Sequence, residues 1–268
     1  MELIDSHAHL YLDDFDADLE KVIERCREKS INKVLLPNID TSTTDSMLKI
    51  CEEHPRFFQP MMGLHPCSVK KDYKVELNKI EKHFSRRKFI AVGEIGLDYH
   101  WDTTFKKQQK DAFKTQINWA KELGLPVVIH CRKSFDDIAN TVEQLHDENL
   151  RGVLHCFSGT VEQAARITDL GFYLGIGGRV TFKNAGLDKV VKQLNLKNLI
   201  LETDSPYLTP APFRGKRNES SFLSFVAEKV ANLHRQTVEE IAKITTENTI
   251  ELFKGTSVNS TVIFQSKK

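Results

Sequence analysis

Three observations predict an α/β protein with a single (β/α)8 TIM barrel. Short Val/Ile/Leu-rich runs recur along the chain, helical patterns fill the intervals, and no break in composition divides the 268 residues. A barrel of this kind commonly takes about 250 residues as one domain. An open, doubly wound sheet is the competing arrangement.

The strands are expected in order at residues 2–5, 33–36, 58–61, 89–93, 126–130, 152–155, 172–175 and 198–202. Each run is brief and apolar, as a parallel strand buried on both faces should be. Their starts lie 20 to 37 residues apart, room for one crossover helix per interval. Leu19, Val22, Ile23 and Cys26 make a helical stripe behind the first strand. Residues 105–123 make another, with Phe113, Ile117 and Ala120 on one side and Gly124 as a stop. Residues 158–170 and 239–253 read the same way. The barrel domain is expected over residues 1–255, and residues 256–268 as a short appended tail.

Composition narrows the function classes. Hydrophobic residues are 40% and charged residues 28%, which excludes a largely disordered or coiled-coil chain. The formal net charge is +1, so bulk charge does not favour a nucleic-acid partner; local basic residues or bound metal would have to. The five cysteines, at 26, 51, 67, 131 and 156, form no C-x-x-C pair and suit a reduced, cytoplasmic protein. No apolar run approaches the roughly 20 residues of a membrane span, and the N-terminus has no signal-peptide pattern. Nothing points to an obligate protein partner.

The unusual residues stand where the strands end. Asp5, His7 and His9 follow the first strand, and His65 the third. Glu94 ends the fourth, His130 the fifth with Arg132 two residues on, His155 the sixth, and Glu202 and Asp204 the eighth. In a parallel barrel these ends converge on one face, where such enzymes work. Alternation puts His7 with His9, His130 with Arg132, and Glu202 with Asp204, and turns Cys131 and Cys156 away. A lone histidine at a strand end is more often a packed residue than a ligand. Four histidines and two carboxylates together are costly to bury without a metal.

Imidazole and carboxylate donors suit Zn²⁺ or Mn²⁺, whereas Mg²⁺ prefers oxygen. The expectation is two divalent ions, the first held by His7, His9, Glu94 and Asp204, the second by Glu94, His130 and His155, with Glu94 bridging. Two ions about 4 Å apart can activate a water and clamp the oxygens of a phosphodiester. Asp204 could accept the proton as the water attacks. His65 is surplus to the ligand count and is expected on the substrate phosphate or leaving group, so the catalytic set is Asp204, Glu94 and His65.

Seven motifs in order, D-x-H-x-H at 5–9, G-x-H-P at 63–66, G-E-I-G-L-D-Y at 93–99, I-H-x-R at 129–132, H-C-F-S-G at 155–159, E-T-D-S-P at 202–206 and R-G-K-R-N-E at 214–219, resemble the TatD-type deoxyribonucleases. The resemblance runs from Asp5 to about residue 254. It implies a barrel of the metal-dependent hydrolase type, related to the amidohydrolases. It further implies a cytoplasmic nuclease on DNA, associated with 3′→5′ exonuclease action on single-stranded ends and with Mg²⁺ or Mn²⁺. The chain departs from the usual family pattern at Ser220, where Pro is common, and at Gly177-Gly178, where Ser-Gly is more usual.

Arg132 is a phosphate candidate because it shares a side with His130. Arg214, Lys216 and Arg217 follow strand eight and could also contact phosphates; a charged loop of this kind is otherwise simply solvated. Tyr99, Trp101, Phe182 and Tyr207 could stack on unpaired bases, or merely pack the rim. Barrel and ligands alone equally permit a small-molecule metallohydrolase of an amide, lactone or phosphoester, since function belongs to the site. A non-catalytic binding protein has no need of so complete a ligand set.

Overall fold

The computed structural model describes residues 2–254. The expected tail at 256–268 lies outside the described residues. Eight strands, β1 (Leu3–Asp5), β2 (Ile31–Pro37), β3 (Phe58–Met61), β4 (Val92–Asp98), β5 (Val127–Arg132), β6 (Gly152–Leu154), β7 (Tyr173–Ile176) and β8 (Leu199–Leu201), pair in sequence order and in parallel. β1–β2–β3 and β4 to β8 form two continuous ladders. Parallel bridges Met62–Val92 and Ala8–Ser205 join them, and Ser6 N donates to Leu201 O at 3.1 Å. The barrel therefore closes, and the open-sheet alternative does not hold.

Among the described residues nine α-helices cover the outside: α1 (Leu19–Glu28), α2 (Thr44–Glu53), α3 (Tyr73–Phe84), α4 (Lys106–Leu123), α5 (Phe135–Leu145), α6 (Val161–Thr168), α7 (Leu187–Val191), α8 (Leu223–His234) and α9 (Val238–Phe253). α1 buries Val22, Ile23 and Cys26, three of the four stripe residues. α4 stops at Gly124, whose φ of 65° is the left-handed conformation that glycine adopts without penalty. Capping boxes at Thr160–Gln163 and Thr237–Glu240 start α6 and α9 by satisfying free backbone donors. Inside the barrel, Ile4, Leu35, Met61, Val128, Val153 and Ile200 pack together, closed from below by Leu252 and Phe253 of α9. That apolar floor leaves only the other end of the barrel for polar side chains.

Strand four differs most from expectation. It was expected at 89–93 and runs from Val92 to Asp98. Phe89, Ile90 and Ala91 are buried ahead of it, and the ladder continues through Gly96 opposite His130 and Asp98 opposite Arg132. Gly96 resembles a turn signal in the sequence, but it serves close strand packing. A Cβ there would lie 2.1 Å from His130 O, and its φ is 140°.

Candidate metal centre

All the expected ligands meet at the C-terminal mouth of the barrel. Glu94 is buried at the centre and its two oxygens face different groups. Oε2 lies 3.1 Å from His7 Nε2 and 3.7 Å from His9 Nε2. Oε1 lies 2.8 Å from His130 Nδ1 and 2.9 Å from His155 Nε2. Asp204 Oδ1 closes the first side, 3.7 Å from His7 Nε2 and 3.6 Å from His9 Nε2. Its φ of 58° is left-handed, a conformation Asp tolerates better than most residues. Its amide donates to His7 O at 2.9 Å, tying the ends of β1 and β8 together.

Hydrogen bonds behind the rings fix which nitrogen faces inward. Tyr11 donates its hydroxyl hydrogen to Pro37 O at 2.5 Å, so its oxygen must accept from His9 Nδ1 at 2.9 Å. His9 Nε2 is then left with a lone pair. His130 Nε2 lies 2.9 Å from Asp98 Oδ2, which places its proton there and turns the Nδ1 lone pair to Glu94. His155 makes no such hydrogen bond: its Nδ1 lies 3.4 Å from Glu202 Oε1, and its Nε2 points toward Glu94. Asp98–His130 is a carboxylate–histidine pair of the kind that orients metal ligands. Imidazole lone pairs and carboxylate oxygens converge, and among the described residues no Lys or Arg is ion-paired to Glu94, Asp98 or Asp204. Such a donor set repels itself unless a cation or protons sit between, and it fits divalent ions with mixed N/O ligands.

The protonation trends agree. Burial resists ionising Glu94, yet His155, His65 and His7 outweigh it and hold the carboxyl well below its usual range. Asp204 is likewise lowered against its burial, by His9, His155 and His7. Burial lowers His7 and His65. His155 is raised well above its ordinary value, because Glu94 and Glu202 overcome its burial. A metal ion held by these residues would take the place of that proton.

His65 is closer than expected, its Nε2 3.4 Å from Glu94 Oε1 and 3.3 Å from His130 Nδ1. Distance alone would make it a fourth ligand on the second side. Its Nδ1, however, accepts from Cys67 N at 3.1 Å. In the neutral ring Nε2 then carries the hydrogen and acts as a donor.

Asp5 is no ligand. It accepts from Thr203 N at 2.9 Å and Thr203 Oγ1 at 2.6 Å, bracing β1 against β8, and burial pushes its pKa up to about 7. Asp98 was missed, although the spacing 94, 96, 98 along one strand face signals it. Cys131 and Cys156 were expected to turn away, but both border the cavity. β6 ends at Leu154, and Cys156 has a φ of 48°, so strand alternation does not reach it.

The cavity above the donors has a volume of about 550 Å³ and is edged by Trp101, Arg132, Arg179 and Tyr207. Trp101 and Tyr207 are exposed. Tyr99 instead donates to Asp137 at 2.8 Å beneath Lys106, and Phe182 lies 3.5 Å under the Arg214 guanidinium. Arg132 sits 5.0 Å over Trp101. The Arg214–Arg217 loop differs from expectation. Arg217 donates to Asp18 at 2.7 and 2.9 Å and to Asp14 O at 2.5 Å. Lys216 lies 5.7 Å from the Phe213 ring. None of Arg214, Lys216 and Arg217 lines the cavity. Sequence reasoning also missed Arg179, which does.

A closed (β/α)8 barrel with histidines and carboxylates converging at its C-terminal mouth defines a metal-dependent hydrolase. Comparison with known proteins makes this specific. The sequence model of the family "TatD related DNase" matches residues 4–254, and the chain belongs to that family. It is 42% identical over 253 residues to the metal-dependent hydrolase YabD of Bacillus subtilis (strain 168), covering 94% of this chain and 99% of that one. It is 31% identical over 257 residues to the 3′-5′ ssDNA/RNA exonuclease TatD of Pantoea ananatis (strain LMG 20103), covering 94% and 99%. The crystal structure of the TatD homologue YjjV from Escherichia coli K12 superposes with a TM-score of 0.88 at 31% identity, covering 94% and 97%. Among the described residues no helix is long and apolar enough to cross a membrane.

Proposed function

We propose that the chain is a deoxyribonuclease that hydrolyses phosphodiester bonds, working from the 3′ end of single-stranded DNA. The observation that carries this reading is the split of Glu94, one oxygen toward His7 and His9 and the other toward His130 and His155. His7, His9, Glu94 and Asp204 would hold one divalent ion, and Glu94, His130 and His155 a second. Such a pair supplies an activated water and neutralises charge on the phosphate oxygens. Asp204, largely buried at the cavity wall and held ionised, is placed to take the proton from the attacking water. His65 Nε2 is placed to donate to the leaving oxygen. Arg132 offers a guanidinium to a phosphate, and exposed Trp101 and Tyr207 offer faces to unpaired bases. The relative named as a 3′-5′ ssDNA/RNA exonuclease supports the polarity and the single-stranded substrate.

The test is a metal-free preparation reloaded with Mg²⁺, Mn²⁺ or Zn²⁺ and assayed on a 5′-labelled single-stranded oligonucleotide. Phosphotriester, lactone and amide panels run in parallel. A ladder shortening from the 3′ end in a metal-dependent way is the expected result. Turnover of a panel compound with no cleavage of any oligonucleotide would overturn the reading in favour of a small-molecule hydrolase.

A further inference from the structure

Arg179 is a cation of the cavity that pairs with no carboxylate among the described residues. It lines the cavity together with His155 and Asp204. Its Nε is buried and has no hydrogen-bond partner among the described residues, and no ion pair is formed by its guanidinium there. Of the other arginines close to this end, Arg217 is paired with Asp18 and Arg214 lies on Phe182, while Arg132 lies over Trp101 with its N–H donors free for a phosphate among the described residues. A buried Nε–H without an acceptor is a standing cost to the fold, which structure alone does not explain.

The backbone that carries it is held firmly. Arg179 lies in a 3-10 turn, Gly178–Thr181, directly after β7. Thr181 Oγ1 donates to Gly178 O at 2.7 Å and accepts from Ala211 N at 2.9 Å. A Cβ on Gly178 would lie 2.1 Å from Leu208 O, so glycine is what lets the turn seat against the loop after β8. Val180 is buried beside it. A fixed turn presenting an unpaired guanidinium is a preorganised anion site. Strand order completes the picture. β6, which leads to His155, lies between β5 with Arg132 and β7 with Arg179. The two guanidiniums therefore flank the donor cluster.

We infer that Arg179 binds a phosphate of the substrate strand next to the scissile one, on the β7 side of the metal centre. The inference rests on the phosphodiesterase reading above. It makes Arg179 a binding residue that extends recognition past the bond being cut.

The experiment compares Arg179→Met, Arg179→Lys and a control on the exposed neighbour, Lys183→Met, in the metal-loaded enzyme. Substrates are a single-stranded oligonucleotide and a chromogenic ester with one phosphate. For Arg179→Met the ratio of oligonucleotide KM to ester KM should rise roughly 10- to 100-fold, the range for a lost hydrogen bond to a charged group. The oligonucleotide log KM against log salt should flatten by about 0.7 for the one lost contact. Arg179→Lys should recover part of the KM loss, and Lys183→Met should leave the ratio alone. Metal content and Tm should hold in Arg179→Met, because an orphan donor is removed. An unchanged KM ratio and salt slope in an enzyme that cleaves oligonucleotides would overturn the role of Arg179 alone. A fall in Tm with equal losses on both substrates would make Arg179 structural and overturn it as well. No oligonucleotide cleavage by the wild type would sink the nuclease reading itself.

Discussion

Two groups of carboxylates draw on the loop after β8, which supplies Asp204 to one and Glu219 to the other, and they are satisfied in opposite ways. Glu219 accepts both arms of Arg25 at 2.7 Å and a hydroxyl from Ser221, while Asp18 accepts from Arg217 and Arg25. Every charge there has a charge of opposite sign from the chain itself. Among the described residues Glu94 and Asp204 have only imidazoles as charged partners, and Asp98 has His130, backbone amides and the Cys67 thiol but no Lys or Arg. The first group is complete and knits α1 to the C-terminal half of the barrel. The second is complete only when cations or protons come from outside. The same residue types thus build a brace in one place and a ligand site in the other, and the partner decides which.

The largest effect tests the second group. Glu94→Ala removes the shared ligand, so both metal equivalents and activity should go together. The loss should exceed the roughly 10- to 100-fold that removal of an outer partner costs. Metal analysis and turnover on the same preparation measure it. Near wild-type activity with two tightly bound ions would break the contrast at its centre.

Asp98→Asn comes next. It keeps the shape but weakens the hold on His130 Nε2–H, and should cost about 10- to 100-fold in metal affinity or activity. The fold should survive, since Asp98 O–N ladder pairing with Arg132 belongs to the backbone. If Asp98→Asn bound metal as the wild type does, the tautomer argument for His130 would fail.

The first group should respond in stability instead. Arg25→Met leaves Glu219 buried with its strongest partner gone. Arg25 is 39% exposed, so solvent screening reduces the several kcal/mol of a fully buried pair to about 2 kcal/mol. For a chain of this size that is a Tm drop of roughly 4–8 °C. kcat per folded molecule should not change. A matching loss of turnover would mean that the two groups are coupled.

The contrast also explains how much could be read in advance. The eight strands were legible because buried parallel strands announce themselves as short apolar runs. The ligands were legible because His7, His9, His130, His155 and Asp204 stand at or just past the strand ends. Asp98 and the shift of β4 were hidden by Gly96, which imitates a turn although it packs against His130. Arg179 and Arg217 could not be told apart, because a charge in a sequence carries no sign of its partner. The partner of Arg217 is Asp18, 199 residues away. Arg179 has none among the described residues, and only the folded chain reveals that.

Arg217 gives the smallest effect and the most direct test of that last point. Its sequence position made it a phosphate contact, yet its guanidinium is committed to Asp18 and Asp14 O and lies 4.4 Å from the Phe15 ring. Arg217→Ala should cost about 1 kcal/mol or less, because the pair is partly exposed and Arg25 still serves both Asp18 and Glu219. Metal content should stay the same. KM on a single-stranded oligonucleotide, and its slope against salt, should match the wild type, since a guanidinium already bound to a carboxylate has no net charge to offer a phosphate. The opposite result is equally readable. A raised KM with a flatter salt slope and a steady Tm would mean that Arg217 leaves Asp18 when a strand binds. The brace would then be a reserve of the binding surface, and the division between the two groups would not stand.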